Sequence, residues 1–240
     1  MDERKDTYFY LQSKLSPLIE QISRSLDVPL NYLTHWEVIQ YFRSQGVKFD
    51  NYGLPDDLKD YIAGMLVVRN GNVKISVNQY RYKVRQNFSR MHEIIHLIDD
   101  VDLSVDCQSF SSILKGEGYS EEEQRKEVKA DIGASILMLN DWSLMQAILN
   151  DYSSDKIQRS FGISKGALWY RLSDFLEFEV DMTRYHAQKL ASLYQIGEKR
   201  HLMQIIANRY NFRLQYASVN TLNLIDTKKD PLPLTWRSEK

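Results

Sequence analysis

The chain has 240 residues, of which 43% are hydrophobic and 26% charged, with a formal net charge of −1. That length supports a sizeable core, as one large domain or one domain with a small appendage. The near-neutral charge gives no overall pull toward nucleic acid or an anionic membrane. The single cysteine, Cys107, excludes an internal disulfide framework and fits a reducing compartment. The first residues, Met1-Asp2-Glu3-Arg4-Lys5-Asp6, mix both charge signs with no apolar stretch behind them, unlike a signal peptide. No run of about 18 apolar residues exists to span a bilayer. The expectation is a soluble cytoplasmic protein without a membrane partner.

Residues 7–26 place Tyr8, Leu11, Leu15, Leu18, Ile19, Ile22 and Leu26 at helical spacing, which predicts an amphipathic helix. A second helix is expected over 36–44, ending before Gly46, and a short third over 56–62 after Pro55. The pattern then turns β-rich. Met65-Leu66-Val67-Val68-Arg69 and Val73-Lys74-Ile75-Ser76-Val77 flank Asn70-Gly71, a strong hairpin signal. A long helix is expected over 82–98. Residues 99–120, rich in Asp, Ser and Gly, read as loop. The next helix, about 120–139, opens on Ser120 with Glu123 three residues on, a capping box. Residues 142–150 and 153–180 read as helical, and about 184–209 as one helix or more. A weak strand-like stretch and a polar tail with Pro231 and Pro233 follow. The expected architecture is α+β and mainly helical. It divides into a core with N-terminal helices over 1–150, a helix-turn-helix-like segment over 151–180, and a C-terminal extension over 181–240.

The chemistry concentrates in His92-Glu93-Ile94-Ile95-His96. On a helix, residues four apart share a face, so His92 and His96 can offer two imidazole nitrogens to one ion. Zn²⁺ suits that donor set, with three protein ligands and one position left for water. Glu93 lies about 100° around the helix from His92. It is poorly placed to ligate but placed to take a proton from the attacking water and pass it to the leaving amine. Phe88, Met91, Ile95 and Ile98 form an apolar stripe that would bury this helix. Three places compete for the third ligand. Asp102 follows His96 by six residues, but the chain lacks the glycine that such a turn needs and has Asp99 there. Asp99 and Asp100 read as a solvated helix end. Glu127 lies on a separate helix, with Asp131 one turn on, and is favoured. A carboxylate at Asp131 can accept the N–H of a ligating histidine and orient its ring. His35, His186 and His201 lack partner spacing.

These residues are part of a longer pattern that resembles the ImmA/IrrE metallopeptidases over roughly 36–175. Its blocks are Gly64-Met65-Leu66-Val67-Val68 with Ile75-Ser76-Val77-Asn78, then Arg85, Phe88 and Met91 leading into the pentad. Glu127, Ala130, Asp131, Ala134, Leu137 and Met138 follow, and Phe161-Gly162-Ile163-Ser164 with Ala167, Leu168, Arg171 and Leu172 close it. The resemblance implies a minimal thermolysin-like zinc peptidase core. It also implies His92, His96 and Glu127 as zinc ligands, Glu93 as catalytic residue, and Asp131 supporting a histidine. Members typically cleave helix-turn-helix repressors, in stress responses or in phage and mobile-element induction. The chain departs from the family in having Ile95 where Gly is usual, Gly133 where Phe is usual, and Asn140 in place of Pro.

The function expected is therefore a zinc endopeptidase acting on a protein partner, a helix-turn-helix repressor. An edge around Lys74, Ile75, Ser76 and Val77 is expected to take the substrate as an added strand. Two other classes compete. Residues 154–175 have helix-turn-helix form, with Lys165, Trp169, Tyr170 and Arg171 as candidates for phosphate or base contact. The near-neutral charge argues against direct nucleic-acid binding. A non-catalytic repressor-binding protein on the same fold is opposed by the intact Glu93. Cys107, among mostly acidic neighbours, reads as an inert small hydrophobe rather than a reactive thiolate.

Overall fold

The computed structural model describes residues 3–53, 55, 59, 61–102, 105, 107–113 and 119–226, with backbone only at 112 and 113. The fold is α+β and mainly helical. Helices α1 (Glu3–Leu26) and α2 (His35–Ser44) come first, then strands β1 (Lys48–Tyr52), β2 (Ile62–Arg69) and β3 (Asn72–Asn78). Helix α3 (Lys83–Asp99), strand β4 (Cys107–Ile113) and helix α4 (Glu121–Met138) follow. The remainder is helical: α5 (Asp141–Leu149), α6 (Ser154–Phe161), α7 (Lys165–Asp174), α8 (Arg184–Gln195), α9 (Arg200–Tyr216) and α10 (Val219–Leu222). No single described helix is long and apolar enough to cross a membrane.

The chain forms two compact units. The first takes Met1–Leu15 and His35–Met138, the second Ser16–Thr34 and Leu139–Lys240. In the first, the sheet order is β1-β3-β2-β4. β2 and β3 make the expected hairpin. Asn70 and Gly71 both adopt positive φ, 49° and 74°, which matches a two-residue turn to the twist of the strands. β3 also pairs with β1 in parallel, and β2 with β4 antiparallel. Leu66, Ile75 and Val77 are fully buried, and Arg90 of α3 donates to Asn51 Oδ1 of β1 at 2.6 Å.

In α4 the capping box forms as expected. Glu123 Oε2 accepts from Ser120 N–H at 2.7 Å, and Ser120 Oγ accepts from Glu123 N–H at 3.3 Å. This satisfies donors at the helix start that have no intrahelical partner. In the second unit, Asn140 takes a role open to Asn and closed to Pro. It caps α5 by accepting from Ser143 N–H at 3.0 Å and donates to Leu30 O at 3.1 Å.

Three expectations change. Residues 99–120 are not all loop, because β4 runs through them. The strand-like stretch after 209 is helix instead, α9 to Tyr216 and then α10. Lys74–Val77 is not an edge: β3 is an inner strand whose backbone is used on both sides, by β1 and by β2. Its Lys74 pairs with Asp50 at 2.7 Å. The helix expected over 56–62 lies mostly outside the described residues, and Ile62 already belongs to β2. The tail with Pro231 and Pro233 also lies outside them.

Candidate metal centre

The candidate centre sits where α3 meets α4 in the first unit. Both helices earn their contact by small-to-large matching. Ile95 is fully buried and lies over Gly133, where an added Cβ would come within 2.7 Å of Ile95 Cδ1. Against the pattern that the resemblance implies, Gly at 95 and Phe at 133, the large side chain here stands on α3 and the small one on α4, and the helices still close.

That approach brings three side chains together. His92, His96 and Glu127 each offer a ligand atom, all within 4.8 Å of one another. The Nε2 atoms of the two histidines are 3.0 Å apart. Glu127 Oε2 lies 3.2 Å from His92 Nε2, and Glu127 Oε1 lies 3.4 Å from His96 Nε2. A tetrahedral zinc site with bonds of about 2.0–2.1 Å has ligand edges of about 3.3 Å. The three separations bracket that figure, so the residues present fit the ion.

The outer nitrogens are committed elsewhere, as a ligating histidine requires. His92 Nδ1–H donates to Asp131 Oδ1 at 2.9 Å, and His96 Nδ1–H donates to Asp100 Oδ2 at 2.7 Å. Both hydrogen bonds leave Nε2 to face the cluster. Asp131 was expected. Asp100 was not: the apparent solvated helix end is a buried carboxylate, its side chain only 3% exposed. Lys129 holds its other oxygen at 2.9 Å. Lys129 also pairs with Asp99, which in turn is held by Lys14 and by the hydroxyl of Tyr10. Phe110 of β4 stacks on His96, with ring centroids 5.8 Å apart and planes inclined by 10°. Asp102 does not join the cluster. Its backbone N–H donates to Gln108 Oε1 at 3.1 Å.

Glu93 is fully buried between the two histidines in sequence. Without a metal, the site is an ion cluster. Burial opposes charging of His92, but hydrogen bonds to Asp131 and Glu127 and the charge of Glu93 outweigh it, raising its pKa to about 10. His96 is raised as well, by Asp100 and Glu127 against burial. Burial pushes Glu127 upward, yet the two histidines prevail and hold it at about 2. The carboxylates of the cluster thus favour positive charge at the two imidazoles.

A family model described as the IrrE N-terminal-like domain, a peptidase family, matches residues 57–173. Residues 57–173 belong to the ImmA/IrrE family. No curated protein and no solved structure matches the chain. The ImmA/IrrE match spans β2 to α7 and contains every member of the His92–His96–Glu127 cluster. The chain therefore carries a metallopeptidase-type domain. Asp100 and Phe110 are the site residues that sequence reasoning missed. Asp100 had one usable signal, its spacing of four from His96, which places the two on one helix face.

Proposed function

We propose that this chain is a zinc-dependent endopeptidase whose substrate is a protein partner, a helix-turn-helix transcriptional repressor. The observation that carries the reading is the convergence of His92, His96 and Glu127 next to the buried carboxylate of Glu93. Zinc, when bound, supplies Lewis acidity toward a carbonyl and an acidified water. His92, His96 and Glu127 would hold it. Asp131 and Asp100 fix the tautomers that present Nε2. Glu93 takes the proton of the attacking water and delivers it to the leaving amine. Burial of this helix face keeps bulk water from competing for that proton.

Substrate docking by strand addition moves from β3 to β4. β4 pairs with β2 on one side and with no other described strand, and its Phe110 lies against His96. An extended peptide added to this edge would pass beside the cluster. The chemistry of a repressor as substrate rests on the family resemblance.

The regulator reading loses two of its four candidate contacts. Arg171 is fully buried and donates to Leu139 O and to Asp141, and Trp169 donates its indole N–H to Ser192 at 2.9 Å. Lys165 and Tyr170 remain exposed.

The test combines the zinc-loaded chain with the helix-turn-helix protein encoded nearest to it, read by mass spectrometry of the products. Defined fragments are expected from the wild type and none from Glu93→Gln, which should retain zinc. Equal inactivation of the repressor by Glu93→Gln would show a binding protein rather than a peptidase.

A further inference from the structure

Glu93 is held in place from the sheet as well as from its own helix. Gly64 lies in β2, paired with Val77 of β3 and Ser112 of β4. A Cβ built on Gly64 would stand 2.6 Å from Glu93 Oε1, 3.1 Å from its Cγ and 3.2 Å from its Cδ. The first distance is shorter than non-bonded atoms tolerate, and the other two are tight. The register of β2 on β4 shifts between Ile62 and Gly64, but Gly64 is absent from the positive-φ glycines, so its backbone conformation does not call for glycine. It is there for space.

The tightest crowding falls on one side chain, because the three nearest atoms all belong to Glu93. The helix cannot easily retreat. Arg90 ties α3 to Asn51 of β1, and Ile95 is seated on Gly133 of α4. Any side chain at 64 would therefore be accommodated by moving the Glu93 carboxylate, not the helix.

We propose that Gly64 is a positioning residue for Glu93: the missing side chain on β2 lets the carboxylate lie flat against the strand, beside His92 and His96. The proposal deepens the peptidase reading and rests on it for its catalytic meaning. The steric coupling itself does not.

A thermal-unfolding cycle on the full, zinc-loaded chain tests the coupling without any substrate. It compares wild type, Gly64→Ala, Glu93→Ala and the double variant. Gly64→Ala should lower Tm by about 2–10 °C where Glu93 is present. It should leave Tm unchanged or higher where residue 93 is Ala, because the clash is gone. A Gly64→Ala chain that does not fold, rescued by Glu93→Ala, supports the proposal equally. The same loss in both backgrounds, or a double variant that also fails to fold, overturns it.

Kinetics on the repressor add the second readout. Gly64→Ala should keep one zinc per chain and its KM while kcat falls by about ten- to a hundredfold. Unchanged kcat in a wild type that cleaves would sink the positioning role and spare the peptidase reading. A zinc-loaded wild type that cleaves nothing would sink the peptidase reading, while the unfolding cycle still decides the contact.

Discussion

Each of the two units buries a cluster of charged side chains, and the two clusters are built on opposite rules. In the second unit, Arg171 donates to Leu139 O at 2.8 Å and to Asp141. Arg213 bridges Asp141 at 2.5 Å and Glu179 at 2.6 Å, and Arg209 reaches Glu179 at 2.8 Å. Donors there face acceptors. Burial opposes the charge of Asp141, and Arg213 and Arg171 outweigh it. In the first unit, two imidazole Nε2 atoms and a carboxylate converge with no Lys or Arg among them, and protons on the imidazoles or a metal ion would reconcile them. A self-satisfied network holds a fold together, whereas a network short of positive charge is a binding site.

The largest effects should separate the two clusters cleanly. His92→Ala is expected to abolish stoichiometric zinc and cleavage while circular dichroism stays that of the wild type. Arg171→Met should do the reverse, costing about 3–5 kcal/mol in denaturant unfolding by leaving Asp141 under-compensated. Its zinc content per folded chain should not change. Loss of zinc from a folded Arg171→Met chain would break the contrast.

Next in size is the helix contact that closes the site. Ile95→Gly should destabilise by about 2–5 kcal/mol through the cavity it leaves. Gly133→Phe should destabilise by about 1–3 kcal/mol or more through overpacking. Combined, they restore the family's arrangement and should cost clearly less than their sum, as read by urea unfolding. Strict additivity would show that the size exchange is coincidental.

The histidine supports sharpen the comparison within the site. Asp100→Asn and Asp131→Asn should each weaken zinc binding by about 10–100-fold in chelator competition. Asp100 should be the more costly, because its side chain is 3% exposed against 62% for Asp131. The reverse ranking would argue against burial as the source of the difference.

The smallest effect is the pH dependence of zinc stabilisation. In the metal-free protein the raised His92 contributes stability fully below about pH 6.5, and that contribution fades as pH rises toward about 10. Zinc needs the neutral imidazole, so protons oppose it at the acid end. The gain in Tm on adding zinc should therefore grow as pH rises from 6.5. A gain that shrinks over that interval would contradict the ion-cluster description.

Much of this was legible in the sequence, and what was missed has a common cause. The pentad, Glu127 with Asp131, the Asn70-Gly71 turn and the Ser120–Glu123 cap are all local patterns, set by helix or turn periodicity. β1 and β4 are held by partners remote in sequence. Lys48-Phe49-Asp50-Asn51-Tyr52 carries Asp and Asn, which strands disfavour, and Cys107-Gln108-Ser109-Phe110-Ser111 is largely polar. Neither shows the run of β-branched residues that marked β2 and β3. Without those two strands β3 looked like an edge. Asp100 was misread for a related reason: the charge that pairs with it, Lys129, lies on another helix. Ile95 made no sense alone and became clear only beside Gly133.

The central claim is that His92, His96 and Glu127 form one zinc centre, and X-ray absorption at the zinc edge of the purified chain tests it most directly. A shell of nitrogen and oxygen at about 2.0–2.1 Å is expected, with the multiple scattering of two imidazoles. That imidazole signature should be lost in His92→Ala. A shell containing sulfur at about 2.3 Å, or one with no imidazole signature in the wild type, would contradict it.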